Sequence, residues 1–365
     1  MNYKDKWQNI VRGVAKNLLD SYISNNKLLK THNGPYHDSE SEARALAHLI
    51  IIAYYEVTRF NNIAYANALT SMGHDLLEYF DDTGLIILRK NNNKDSSNGV
   101  IGHAWILEAL SHLYLFTKDT IYEKYGNKIL DNHLYSKEYG MWIIPTTKKF
   151  DYTYNHQLWY SACLAEFASI TNNKEQLCIV NTFLENNALL QISKTGRIRH
   201  LVRQTGSLKK IINNAIKNLG NDISDLLGFP SLFYKECGYH LFNLFAFSIL
   251  YNYLPNNKFW DTQTFRRITS FAQSRKLRKC LESADYMKDA TGLWKTVGER
   301  AINYYGYPYN VPGFEIDLIT ETFSKYFSHE IATYLLKTQI ELTFNETQNL
   351  FGINCEDKGI INYRI

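Results

Sequence analysis

A four-part unit recurs along the chain: a helical stretch, a short Gly-aromatic segment, a polar loop, and a second, more apolar helix. The Gly segment reads DDTGLIILR (81–89), KEYGMWIIP (137–145), KTGRIRHLV (194–202) and DATGLWKTV (289–297), with a fainter NLFGINCED (349–357). Its Gly suits a left-handed helix stop, and the β-branched and aromatic residues after it suit a brief strand. Helical stretches precede these segments at about 62–80, 118–133, 173–192, 256–285 and 329–346.

Five polar motifs open the apolar helices: NGPYHDSESEAR (33–44), SSNGVIGHAW (96–105), DYTYNHQLW (151–159), ECGYHLF (236–242) and YPYNVPGFE (307–315). The helices run to about 60, 117, 170, 253 and 327 and are apolar nearly all round, as buried helices are. Short links (RFNN, TKDT, TNNKE, LPNNK, FSHE) join each to the next, more polar helix, which implies antiparallel neighbours. The expected architecture is all-α: an (α/α)6 toroid of helical hairpins in one domain over 1–365, with inner apolar and outer amphipathic helices. The sixth outer helix is 5–25, and 207–228 is the place for a sixth inner one; without it the ring is (α/α)5. An open helical solenoid explains the hairpins but not polar motifs recurring at one place in each unit.

Composition narrows the classes. Forty Lys and Arg against 36 Asp and Glu give a net charge of +4, too balanced for nucleic-acid binding by charge. Five widely spaced Cys without a C-x-x-C read as reduced and mostly buried. The start, MNYKDKWQNIVRGVAKNLL, has no long apolar core, so no signal peptide is expected. LAHLIIIAYYEV and LFNLFAFSILYNYL are too short and interrupted to span a bilayer. A cytoplasmic protein, in contact with the inner membrane surface, is the expectation. Twenty-seven Tyr are consistent with sugar recognition, since each ring has an apolar face and a polar tip, and equally with an Asn-, Lys- and Ile-rich codon bias.

All five motifs lie at the N-terminal ends of inner helices. In a ring these ends converge on one mouth carrying helix-dipole potential and unpaired backbone N–H groups. A polar, aromatic cleft there suits an oligo- or polysaccharide, anionic or lipid-linked. Binding residues expected at the mouth are Tyr36, His37, Asp38, Arg44, His103, Trp105, Trp159, Arg203, Tyr307, Tyr309 and Asn310. Two chemistries can be drawn. In uronate β-elimination or C5 epimerisation, Asn155 bonds the carboxylate, His156 and Tyr239 act as base and acid, and His240 orients one of them. Glycoside hydrolysis needs two carboxyl groups, from Glu108, Asp151, Glu236 and Glu315 or from Asp38. A non-catalytic glycan-binding or scaffold role is the third reading. No metal or other cofactor is implied: there is no H-E-x-x-H, and FDD at 80–82 continues as TGL rather than completing an aspartate-rich metal motif. Basic residues at 197–218 and 275–279 read as a solvated face, or as contacts to an anionic glycan or the inner leaflet.

The runs YNHQLW and GYHLFNLFAFSILY resemble the alginate-lyase and heparinase-like (α/α) toroid lyases. The resemblance implies that Asn155 neutralises a uronate while His156 and Tyr239 transfer protons. The Arg that alginate lyases carry shortly before Tyr-His is missing from DLLGFPSLFYK (225–235), leaving Arg44 or Arg203 as substitutes. Over most of the chain, GPYHDSESEARALAH, NGVIGHAWILEAL, YNHQLW, GYHLFNLFAF and YNVPGFE resemble proteins of glycan-assembly clusters, including the archaeal Agl N-glycosylation cluster and bacterial surface-polysaccharide loci. That implies a role in building or remodelling a glycan.

Overall fold

The computed structural model describes residues 3–34, 37–186, 188–202, 231–282, 296–297, 300–352 and 358–365. Five long buried helices form the inner layer: α2 (Glu42–Thr58), α4 (Ile101–Thr117), α6 (Tyr154–Ile170), α9 (His240–Tyr253) and α12 (Pro312–Thr322). Each packs on the next in chain order. The outer layer holds α1 (Tyr3–Asn25), α3 (Ala66–Leu77), α5 (Thr120–Asn132), α7 (Lys174–Asn186), α10 (Gln263–Ala272) and α13 (His329–Thr343). The sequence dictates the layering. In α6 both faces are buried, from Tyr154 to Ala168. In α10 only Phe265, Ile268, Thr269, Phe271 and Ala272 are buried, a one-sided stripe that covers the inner ring. Local signals set the starts: Asp119 accepts the Ile121 N–H at α5, and Thr262 accepts the Phe265 N–H at α10. Two short helices, α8 (Ser231–Gly238) and α11 (Arg275–Glu282), fill corners.

Three of the Gly segments are tight antiparallel turns between an outer helix and the next inner one, and 289–295 of the fourth lies outside the described residues. Gly84, Gly140 and Gly196 sit at φ +83°, +63° and +93°, where a side chain would be strained. The turns are closed by Phe80–Ile86, Ser136–Met141 and Ile192–Ile198 pairings. At the fifth segment Phe344–Asn345 pairs with Leu350–Phe351, and the left-handed residue is Asn349.

A polar side chain of the next inner element holds four of these hairpins by the residue two places past the left-handed one. The Ile86 N–H donates to His103 Nε2 at 3.1 Å, and the Ile198 N–H to His240 Nδ1 at 3.4 Å. Gln157 takes both backbone groups of Trp142, at 2.8 and 2.9 Å. Asn362 does the same for Phe351, at 2.8 and 2.6 Å. Asn362 therefore marks α14 (Lys358–Asn362) as the sixth inner element. It lies between the start of α12 and the approach to α2: α14 packs on 306–310, and the Leu29 N–H donates to the Tyr363 hydroxyl at 2.8 Å. Among the described residues the ring thus has six inner places, the last, from 358–365, cut to little more than one turn. The segment 207–228 lies outside the described residues.

Cys163, Cys237 and Cys280 are buried, Cys178 is exposed, and all four are free; Cys355 lies outside the described residues. Among the described residues no helix is long and apolar enough to cross a membrane.

Candidate active site

The N-terminal ends of the inner helices meet, as the motif positions require. Between them is a cavity of about 300 Å³. Its walls come from all round the ring: Asn33 before α2, Ile101 and Trp105 of α4, Asn155 and His156 of α6, Tyr239 and Phe242 at α9, and Tyr309 before α12. Arg89, Lys94, Asn98, Thr153, His200 and Lys235 complete the lining. Among the described lining residues there are three cations and no carboxylate.

His156 is the best-organised group. Its Nδ1 lies 2.8 Å from Asp151 Oδ2. Asp151 also accepts the Val100 N–H and the Thr153 N–H, each at 3.0 Å. Burial alone would raise the Asp151 pKa, but the imidazole and these N–H groups outweigh it and hold it below the usual carboxylate value. The Asp151 carboxylate fixes the proton on His156 Nδ1 and leaves Nε2 as the acceptor nitrogen of the neutral ring. Gly99, at φ +67°, permits the approach: a Cβ there would lie 2.2 Å from Asp151 Oδ2 and 2.4 Å from His156 Nδ1.

Two basic groups stand nearby. Burial pulls the Lys235 ammonium down to about 8, against a smaller upward effect of Glu236. Burial, with Lys235 and His156 as neighbours, pushes His200 well below the usual His range. On the opposite wall the Tyr309 hydroxyl donates to Asn33 Oδ1 at 3.4 Å, Asn33 to Asn98 Oδ1 at 3.4 Å, and Arg89 also bonds Asn98. Asn155 Oδ1 has no hydrogen-bond partner among the described residues.

Two buried arginines back the aromatic lining. Arg44, paired with Glu40, lies 4.0 Å from the Trp105 ring centroid. Arg364 lies 4.5 Å from that of Phe242 and 3.6 Å from Glu315. Arg364 stands where the other inner helices put an aromatic: it follows Asn362 by two, as Trp105 follows His103 and Phe242 follows His240. Burial drives Glu315 well above the carboxylate range despite the arginine, and lowers Arg364.

Of the residues expected from sequence, Trp105, Asn155, His156, Tyr239 and Tyr309 line the cavity, and Asp151 touches it through His156. Arg44 lies behind Trp105, and Trp159 stacks on Phe242 at 4.7 Å. The rest are used elsewhere. His103 and His240 tie hairpins, with His240 Nε2 also donating to the Ile268 carbonyl at 3.2 Å. Burial lowers the pKa of the first to about 4 and of the second to about 3. Glu236 binds Arg197 at 2.6 Å and the His200 N–H at 2.9 Å. Asp38 binds Lys94 and Asn91, both at 2.6 Å. His37 is exposed and stacks on His32 at 4.6 Å. Tyr307 is in the core, its hydroxyl 3.3 Å from Glu282, and Asn310 donates to the Tyr305 carbonyl at 2.6 Å. Glu108 lies two turns deeper, beside Glu166, and burial raises both to about 7. Tyr36 and Arg203 lie outside the described residues.

Sequence reasoning missed Asn33, Arg89, Lys94, Asn98, Thr153, His200 and Lys235. Asn33, Asn98 and Thr153 stand inside the polar motifs, and Arg89 and His200 close Gly segments, so position in the repeat was the available signal. The Tyr-His and Asn-His pairs occupy different registers: His156 matches Tyr239, and Gln157 matches His240.

No family model matches the chain. Archaeal glycosylation protein Q of Haloferax volcanii is 27% identical over 344 residues, covering 90% of this chain and 87% of the relative. D-mannose isomerase has a structure matching at TM-score 0.64 and 11% identity, over 99% of this chain and 95% of the other. An unsaturated glucuronyl hydrolase specific for heparin matches at TM-score 0.57 and 12% identity, over 99% and 96%. An inactive variant of an α-1,6-mannanase of Salegentibacter, in complex with alpha-1,6-mannotetrose, matches at 0.53 and 11%, over 98% and 96%. The chain shares the (α/α) toroid fold of these proteins, and its resemblance to an archaeal glycosylation protein extends over nearly its whole length.

Proposed function

We propose that the chain is a carbohydrate-active enzyme that moves a proton on an anionic sugar of a polysaccharide or lipid-linked glycan, by uronate β-elimination or C5 epimerisation. One observation carries this reading: the Asp151–His156 pair faces a cavity lined by Arg89, Lys94 and Lys235 and by no described carboxylate. In the proposed step His156 Nε2 removes the proton from the carbon next to the uronate carboxylate. The cationic lining and the Asn155 amide offset the charge that develops on the carboxylate. Tyr239, or Lys235 in its ammonium form, supplies a proton to the leaving oxygen in elimination, or to the opposite ring face in epimerisation. Glycoside hydrolysis is less well supported, because Asp38, Asp151, Glu236 and Glu315 are all engaged outside the lining. The likeness to a glycosylation protein supports a glycan substrate, and an inner-membrane location remains part of the proposal.

The test is deuterium incorporation from D₂O into uronate oligosaccharides, followed by NMR, with ultraviolet absorbance reporting an unsaturated product. Substituting His156→Ala is expected to lower either rate by about 10²–10⁴-fold. Turnover that releases reducing ends without exchange, or survives the substitution, would refute the mechanism.

A further inference from the structure

A second cavity, of about 490 Å³, adjoins the first and shares Arg89 and Lys94 with it. We infer that this outer groove is a subsite for the neutral sugar units next to the reacting one, so that the protein acts on the end of an oligosaccharide. The inference rests on the anionic-sugar reading of the inner cavity.

The inner volume lies at the lower end for ligand pockets, room for one sugar ring. The groove meets the inner cavity at Arg89 and Lys94, so a longer glycan can continue into it there. Its side chains suit hydroxyl groups: Lys90, Asn92, Thr146 and Thr147 are all exposed there. Of its three cations, Arg89, Lys90 and Lys94, two are paired with carboxylates. Asp38 lies 2.6 Å from Lys94 and 3.8 Å from Arg89, and Asp95 lies 3.2 Å from Arg89. Asp95 lines the groove beside these cations, whereas no described carboxylate lines the inner cavity.

The groove is also preformed. The Leu88 and Arg89 N–H groups both donate to the Ser96 carbonyl at 2.8 Å, and the Lys90 N–H donates to the Ser39 carbonyl at 2.7 Å. The Gly99 N–H donates to Asp95 Oδ1 at 2.6 Å, and Ser97 Oγ lies 3.4 Å from Thr146 Oγ1 on the facing hairpin. A binding surface fixed in advance loses less conformational entropy when occupied.

The experiment measures dissociation constants by tryptophan fluorescence and calorimetry for four sugars: sodium D-glucuronate, a glucuronate-ended hyaluronan tetrasaccharide, D-glucose and cellotetraose. Each tetrasaccharide is expected to bind about tenfold more tightly than its monosaccharide, the effect of one or two net hydrogen bonds. In the double variant Asn92→Ala, Thr147→Ala that advantage should shrink to about twofold or less, with monosaccharide affinity and melting temperature unchanged. An equal advantage in the variant, or none in the native protein, overturns the groove assignment. If glucose binds as well as glucuronate, the anionic reading fails, while the tetrasaccharide ratio still judges the groove. No binding by any of the four overturns both.

Discussion

Replacing His240 by Ala removes two backbone ties at once. The imidazole is fully buried, accepts the Ile198 N–H at 3.4 Å and donates to the Ile268 carbonyl at 3.2 Å. Each orphaned buried group costs about 1–3 kcal/mol, and the vacated ring adds a cavity term. Because the first bond is long, the lower half of that range applies to it. The expected loss is about 3–5 kcal/mol, a fall of roughly 4–7 °C in melting temperature for a chain of this size. His240→Gln should recover at least half, because Gln157 performs the same task at Trp142 one unit away. Differential scanning calorimetry gives the melting temperatures, and hydrogen exchange at the Ile198 amide reports the tie itself. The reasoning is refuted if His240→Ala melts with the native protein, or if exchange at Ile198 is unchanged. A catalytic His240 would give the reverse pattern, with activity lost and stability kept.

Other outcomes follow from the same contacts. Gly99→Ala should separate Asp151 from His156, since the new Cβ would sit 2.2 and 2.4 Å from them; turnover should fall at least tenfold, with a left-handed backbone cost of about 1–2 kcal/mol visible in a thermal melt. His103 and His240 are held neutral, with pKa values of about 4 and 3, so their contribution is present above 6.5 and is lost as pH falls through that window. Urea unfolding of the native protein and of His240→Gln at pH 7 and pH 4.5 should therefore show the native protein losing more stability in acid than the variant, which has no imidazole at that position to titrate. Glu108 runs the other way: its pKa is raised to about 7, so its penalty grows as pH rises from 4.5 to 7. Glu108→Gln should stabilise the protein at pH 8 and have little effect at pH 4, as read by the same melts. Arg364→Gln should weaken glucuronate binding several-fold while leaving glucose binding unchanged, measured by calorimetry.

The repeat, the layering and the location of the mouth were legible in the chain because they depend on local rules. A Gly that takes positive φ, an apolar helix that must be covered, and a short link that forces antiparallel packing all act within a few residues. The sixth inner element was harder to see, because 358–362 is too short to show a helical period and is held by Asn362 and by contacts near Lys30.

Which side chain faces the cavity is a different kind of fact. Successive residues on a helix turn by about 100°, so His156 points inward while Gln157 grips a hairpin, and Tyr239 lines the cavity while His240 does not. Composition and motif cannot separate such neighbours. Lys235 carries no signature of its own; it reaches the cavity because distant segments meet there. The sequence by itself determined a toroid with a polar mouth, since periodicity and turn chemistry act locally. Only the tertiary structure decided which histidines face the cavity and which are struts, because that depends on what each ring nitrogen meets across the fold.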